Sequence, residues 1–177
     1  MDFIFINMKS KTPSQSRSTQ TEIVLPNDTN NLKNLMGGRL LHWMDIVAAI
    51  SAQRHSGRSC VTASVNNVSF GHPIPQASIV TLEANISRSF SSSMEVIIDV
   101  WIEDMQNGKK TKCNEAIYTF VAVDNTNKPT SVPVIEPETN LEKERFDAAL
   151  RRRQLSLILA GKMKAEEATE LKALFNK

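Results

Sequence analysis

The 177-residue sequence is short of several residue types, and each shortage closes off a class of protein. Its two cysteines, Cys60 and Cys113, are too few for a disulfide framework or a four-thiolate metal site. They read as small buried hydrophobes of a reducing compartment. The three histidines, His42, His55 and His72, have no metal spacing and no Cys or carboxylate cluster beside them, so surface or capping roles are expected and metal ligation is not. Charge of one sign is lacking as well. Lys+Arg at 21 against Asp+Glu at 19 leaves +2, without the cationic surplus that displaces counterions from nucleic acid. No apolar run approaches the roughly 20 residues that span a bilayer. The apolar opening Met1–Ile6 is short and has no basic start, so it does not read as a leader. These shortages together predict a cytoplasmic protein without nucleic-acid or membrane partners. Apolar residues at 41% and charged residues at 23% exclude a wholly disordered chain, and the length suits one domain with its own core.

What is present divides into three parts. Residues 1–19 read as a flexible arm, because Lys9–Thr21 is mostly Ser, Thr, Gln, Lys and Arg. Residues 20–135 carry the patterned core, and 136–177 form a helical extension predicted at Asn140–Leu159 and Ala165–Phe175, split near Gly161. Within the core, a short strand over Thr21–Leu25 stops at Pro26, and a turn-rich stretch leads to the pair Gly37-Gly38. From Arg39 to His55, Leu40, Met44, Val47, Ala48 and Ser51 recur at helical spacing, while Ile46 and Ile50 widen the apolar face. Strands are predicted at Cys60–Phe70, Ala77–Ser87, Met94–Glu103 and Cys113–Val123, with an Asn107-Gly108 hairpin turn before the last. In the third of these, Glu95, Asp99 and Glu103 punctuate the polar face. The fourth is apolar on both faces, which predicts a central place in the sheet. One long buried helix followed by about four antiparallel strands gives an α+β fold in which the sheet can wrap the helix.

Asp45 is the oddity. A carboxylate inside an apolar helix loses hydration unless donors, water or a ligand replace it. It reads either as a group facing a groove and bonded to nearby backbone, or as a general base or nucleophile. Gly37 and Gly38 precede a helix whose free N–H groups can polarise a carbonyl. Neither Ser64 nor the Ser91–Ser93 run stands in a Gly-x-Ser-x-Gly elbow, so a serine-esterase triad is not expected. Arg151-Arg152-Arg153 is the one dense basic cluster, either solvated or holding a phosphate.

In order and spacing, Asp28-Thr29-Asn30, Met36 through Asp45, Cys60 through Val65, Phe70 with Pro73, and Phe90 through Val96 resemble the acyl-CoA thioesterases of the hotdog fold. The likeness runs on through Thr119–Ala122 and Pro137-Glu138-Thr139 to the arginines, covering about residues 20–155. It implies a long central helix wrapped by an antiparallel sheet, homodimers that share a continuous sheet, and often trimers of such dimers, that is, hexamers. It also implies hydrolysis of an acyl-CoA substrate to fatty acid and CoA with no cofactor or metal, at a site between subunits. Motif matching assigns the catalytic Asn and Asp to Asn30 and Asp45, and an oxyanion contribution to the N–H groups near Gly37 and Gly38. Contacts to CoA map onto Ala63-Ser64-Val65, onto Ser92-Ser93-Met94 through exposed strand backbone, and onto Arg153 for a phosphate. Lys33 stands where many relatives have Gly, and Ala77-Ser78 replaces a frequent Gly-Asp. Two other readings of the same fold are a non-catalytic acyl-CoA-binding regulator, for which no output module is visible, and a dehydratase, for which His42 lacks the expected setting of a catalytic histidine.

Overall fold

The apolar periodicities become five antiparallel strands laid around one helix. The structure, a computed structural model, describes residues 9–175. In chain order its elements are α1 (Pro13–Ser16), β1 (Ser18–Ile23), α2 (Gly37–Ser56), β2 (Ser59–Ser69), β3 (Ile79–Ser89), β4 (Ser93–Glu103), β5 (Lys110–Val123), α3 (Asn140–Leu159) and α4 (Thr169–Lys172). Single 3-10 turns lie at Pro26–Asp28 and Ala165–Glu167. The strands line up as β1-β3-β4-β5-β2, every neighbouring pair antiparallel.

Helix α2 packs on all five strands. Leu40, Trp43, Met44, Val47, Ala48, Ser51 and Ala52 are buried at three- and four-residue spacing, as one face of a helix must be. The helix stops at Gly57, whose φ of 65° is the left-handed conformation that ends helices, and its N–H bonds the Gln53 carbonyl. Lys11 Nζ closes the same end by donating to the carbonyls of Arg54 (2.8 Å) and His55 (2.7 Å), where a cation meets the negative pole of the helix. Ile46 and Ile50, expected to be enclosed, stay about 40% exposed and face away from the sheet.

The middle of the sheet is β4, not β5. Ser93–Val100 are eight consecutive buried residues because both faces of β4 are covered. Met94, Val96, Ile98 and Val100 join the α2 core, while alternation turns Glu95 and Asp99 to the other face, under α3. Strand β5 lies one place in from the edge, between β4 and β2, and its inner face (Ala116, Tyr118, Phe120) packs in the core.

Two further expectations are corrected. Residues 11–19 of the predicted flexible arm are structured, although few of their side chains are apolar. Lys11 exchanges backbone hydrogen bonds with Val134 and Glu136, Pro13 and Ser16 are buried, and β1 pairs with β3 from Ser18 onward. Sheet pairing satisfies backbone groups whatever the side chains are, and composition does not register it. Residues 1–8 lie outside the described residues. Helix α3 runs over the predicted 140–159, its start capped by Thr139 and Glu142. The predicted helix 165–175 is broken instead into a 3-10 turn and the four-residue α4, because Ala168, buried at φ −86° and ψ 68°, turns the chain back onto α3. Gln154 Oε1 then accepts the Leu171 N–H at 2.9 Å.

Candidate active site

The loop before α2 is held shut by its own polar groups. Asp28 is buried. Its Oδ2 accepts the Leu25 N–H (3.0 Å), and its Oδ1 pairs with Arg39 Nε (2.8 Å), which fastens the loop to the first turn of α2. Asn30 is exposed, and its Oδ1 accepts the N–H groups of Leu32 (2.9 Å) and Asn34 (3.2 Å). Those two bonds fix which way the amide points, because only oxygen can accept. The Nδ2 is left as a donor with no partner among the described residues.

Beside it run residues 74–78. They bond back to Val24, Lys33 and Leu35 through Ala77 N–H (2.9 Å), Gln76 N–H (2.9 Å) and the Ile74 carbonyl (2.7 Å). Lys33 (φ 57°) and Ala77 (φ 68°) both adopt left-handed backbone. That conformation explains the glycine preference at these two positions, since a Cβ crowds it.

Gly37 and Gly38 are the first two residues of α2, where backbone N–H groups lack intrahelical acceptors. A Cβ on Gly37 would meet the Phe70 ring at 3.3 Å, so the ring rests against bare backbone there.

Asp45 lies in the third turn of α2 and is half-buried. Thr62 on β2 donates its hydroxyl to Asp45 Oδ1 at 2.8 Å. Tyr118 of β5 donates to the Leu41 carbonyl, one turn before Asp45, at 3.2 Å. Burial, and then the Asp45 charge, push the Tyr118 phenol up to about 12, so it stays a neutral donor. Within one chain no hydrogen bond joins Asn30 to Asp45 among the described residues. The bland alternative for Asp45, a carboxylate satisfied by nearby backbone, does not describe it. Its observed partner is a side chain from the facing strand.

On the other face of the sheet a groove of about 420 Å³ opens between α3 and the strands, lined by Ser64, Asn66, Phe90, Glu95, Thr119 and Arg153 among others. Arg153 donates to Ser93 Oγ (3.3 Å) and lies 4.2 Å above the Phe90 ring. The edge strand β2 reaches both faces through a β-bulge. Thr62 is opposite Phe120, a core residue, yet Ser64 is opposite Thr119, a groove residue, and Ala63 is the extra residue between them. In a regular strand Thr62 and Ser64 would share a face.

The segment Ser92-Ser93-Met94 differs from its expected form. Its backbone is largely paired: the Ser92 carbonyl accepts from Ala122, the Ser93 carbonyl from Phe90, and Met94 is in register with Ser89 and Phe120. Met94's side chain is wholly in the core. A strand flanked on both sides has no spare backbone groups to offer, whereas the outer edge of β2, beside Ala63 and Val65, does.

The family model described as "Thioesterase superfamily" matches residues 32–109. A Bacillus subtilis protein named as an uncharacterized acyl-CoA thioester hydrolase is 40% identical over 138 residues, 78% of this chain and 80% of that one. The chain belongs to the thioesterase superfamily. Its fold is the hotdog fold, and solved thioesterases superpose on it closely. An acyl-CoA hydrolase from Staphylococcus aureus, solved with butyryl-CoA and CoA, is 36% identical at a TM-score of 0.81, over 86% of this chain and 95% of that one. The same enzyme has been solved with an asparagine, an aspartate or a threonine replaced by alanine. A structure described as an apo-hexameric acyl-CoA thioesterase is 35% identical at a TM-score of 0.83, over 86% of this chain and 98% of that one.

As a thioesterase, the chain has four polar residues whose partners pattern reading passed over: Thr62, Tyr118 and the Arg152–Glu95 pair. Thr62 lay inside a quoted motif, but its partner is on another element. The pair was visible only as a charge on each of two distant segments.

Proposed function

We propose that this chain hydrolyses acyl-CoA thioesters to free acid and CoA, with Asp45 as the catalytic carboxylate. The observation that carries this reading is the Thr62–Asp45 bond: it fixes one carboxylate oxygen and leaves the other for chemistry. Asp45 either takes a proton from water as it attacks the thioester carbonyl, or attacks that carbonyl itself to give a mixed anhydride that water then opens. Both routes release CoA as the thiol and consume one water, and neither needs a cofactor or metal.

Asn30 Nδ2, oriented outward as a donor, and the N–H groups of Gly37 and Gly38 suit a developing oxyanion, each good donor contributing about 3 kcal/mol. In the Staphylococcus enzyme the substituted Asn, Asp and Thr are spaced 15 and 17 residues apart, the spacing that separates Asn30, Asp45 and Thr62 here. That supports giving these three residues one site.

Asn30 and Asp45 share no hydrogen bond within a chain among the described residues, and a second copy is proposed to complete the site. The unpaired outer edge of β2, with Val61 and Val65 about half exposed beside Ile46 and Ile50, is the surface proposed for a dimer with a continuous sheet. Three such dimers would form the hexamer, an assembly for which the hexameric neighbour is a precedent.

CoA is placed along the outer groove, with a phosphate on Arg153, Ser64 and Ser93 nearby, and pantetheine amides on the free β2 backbone at Ala63–Val65. The Ala63 bulge is the crossing from this face to Asp45. No helix is long and apolar enough to cross a membrane among the described residues. The cytoplasm is the compartment proposed, consistent with two free cysteines whose thiols burial keeps protonated.

The test combines a panel of acyl-CoA lengths, read as free-thiol release, with subunit mixing. Asn30→Ala and Asp45→Ala proteins, each inactive, are co-refolded in equal amounts. A shared site rebuilds about a quarter of the wild-type sites, because each mixed dimer holds one intact pair. No recovery on mixing refutes the shared site. No thiol release from any acyl-CoA by the wild-type protein refutes the activity, and release of an enoyl product would point to the dehydratase.

A further inference from the structure

Of the three adjacent arginines, Arg152 and Arg153 do different things, and the structure separates them. Residues on a helix are about 100° apart, so Arg151, Arg152 and Arg153 cannot share one target. Arg152 points down at the sheet. Its Nε and Nη2 donate to the two carboxylate oxygens of Glu95 at 3.0 and 2.7 Å, and Ser87 Oγ donates to the same carboxylate at 2.6 Å. Two turns earlier, a single guanidinium nitrogen of Arg145, Nη2, donates to both oxygens of Asp99 at 3.0 and 2.8 Å. The spacings agree: seven residues of helix advance about 10.5 Å and four residues of strand about 13 Å. Helix α3 is therefore pinned to β4 at two points. Arg152, Glu95 and Arg153 all border the groove, but Arg153, one residue past the second pin, meets a neutral hydroxyl and the face of Phe90 and has no carboxylate partner among the described residues.

We propose that Arg152 is a positioning residue for the CoA end of the substrate: by clamping Glu95 it holds α3 so that Arg153 alone presents an uncompensated charge to a substrate phosphate. This rests on the reading of Arg153 as a phosphate holder. The bidentate pair cancels the charges of Arg152 and Glu95 against each other, so neither attracts nor repels a phosphate in the groove. The arginine cluster is thus one ligand beside a latch, and it is not a three-arginine phosphate pocket.

The two descriptions predict opposite signs for Glu95→Gln. If Arg152 bound phosphate directly, removing its carboxylate partner would free a cation for the ligand and lower the KM for acyl-CoA. If Arg152 is a latch, the loosened α3 lets Arg153 drift, and the KM for acyl-CoA rises several-fold.

The experiment measures kcat and KM of the full-length protein with one acyl group carried either by CoA or by pantetheine, which has no phosphate. Arg153→Gln is expected to raise the acyl-CoA KM roughly tenfold, the loss of one charged hydrogen bond. Arg152→Gln and Glu95→Gln are each expected to raise it about three- to fivefold, with kcat nearly unchanged and a far smaller change in the KM for the pantetheine thioester. A lowered acyl-CoA KM in Glu95→Gln, or an equal rise for both substrates in Arg152→Gln, overturns the latch. An unchanged KM in Arg153→Gln overturns the underlying phosphate assignment instead. Arg152 is partly exposed, so its variant remains informative if Glu95→Gln fails to fold.

Discussion

Two sets of carboxylates in this chain are treated in opposite ways. Glu95 and Asp99, on the central strand, are buried and closed off by arginines of α3, with Lys112 as a further partner of Asp99. Asp45, on the central helix, is half open and keeps one neutral donor, Thr62. A buried carboxylate with its full set of donors is structural, because every oxygen is already occupied and removing one partner strands a charge in a poor solvent. A carboxylate held by a single hydroxyl keeps an oxygen for a substrate, and the protein around it has little to lose when it goes.

The largest test of that contrast is Asp45→Asn. It should lower kcat roughly 10³-fold, the range of a lost acid–base group, while the thermal midpoint moves by no more than about two degrees. Initial rates and a melting curve decide it, and a large drop in midpoint would move Asp45 to the structural set. Asp99→Ala should do the reverse. We expect a loss of about 2–3 kcal/mol in urea denaturation, discounted because Lys112 is partly solvated, with kcat within about twofold of wild type.

How far the sequence foretold this contrast depends on the pattern involved. Helix α2 and the long strands were legible because periods of 3.6 and 2 residues mark which side is apolar. The same alternation put Glu95 and Asp99 on a polar face and so suggested solvent, since periodicity says nothing about what lies over that face. The cover was readable in principle: Arg145 and Arg152, two turns apart, match the strand spacing of the two acids. The bulge at Ala63 leaves no trace in composition, and it decides which face Ser64 serves. Asn30 and Asp45 could be joined only through resemblance, because no hydrogen bond within one chain connects them among the described residues.

A third way to keep a buried group is to hold it neutral, and His55 sharpens the comparison. Its Nε2 meets the Pro133 carbonyl at 2.9 Å; burial, the largest effect, lowers its pKa against the opposing pull of that bond, and nearby Lys11 lowers it further. A folded pKa below the unfolded value of about 6.5 means that protonation favours the unfolded chain. The stability from neutral His55 is therefore complete above that pH and lost as pH falls toward the depressed pKa, at up to about 1.4 kcal/mol per unit. Urea midpoints of His55→Gln should fall less between pH 6.5 and 5 than those of wild type. Equal slopes would mean that other groups govern acid unfolding.

The smallest effect concerns backbone. Ala77→Gly relieves a left-handed alanine beside the Asn30 loop and should raise stability by about 0.5 kcal/mol, the strain released less the freedom that glycine gains in the unfolded chain. A fall in stability would show that the neighbouring hydrogen bonds already hold that turn without strain.

Lys11 carries a practical consequence for anyone tailoring this protein. Its ammonium stoppers the far end of the helix that bears Asp45, so the segment around Lys11 and that rod are mechanically one piece. A tag or fusion joined stiffly just ahead of it would tug on that rod, whereas a slack Gly/Ser tether would leave the stopper seated. Trimming the chain back to Ser18 would uncork the helix altogether.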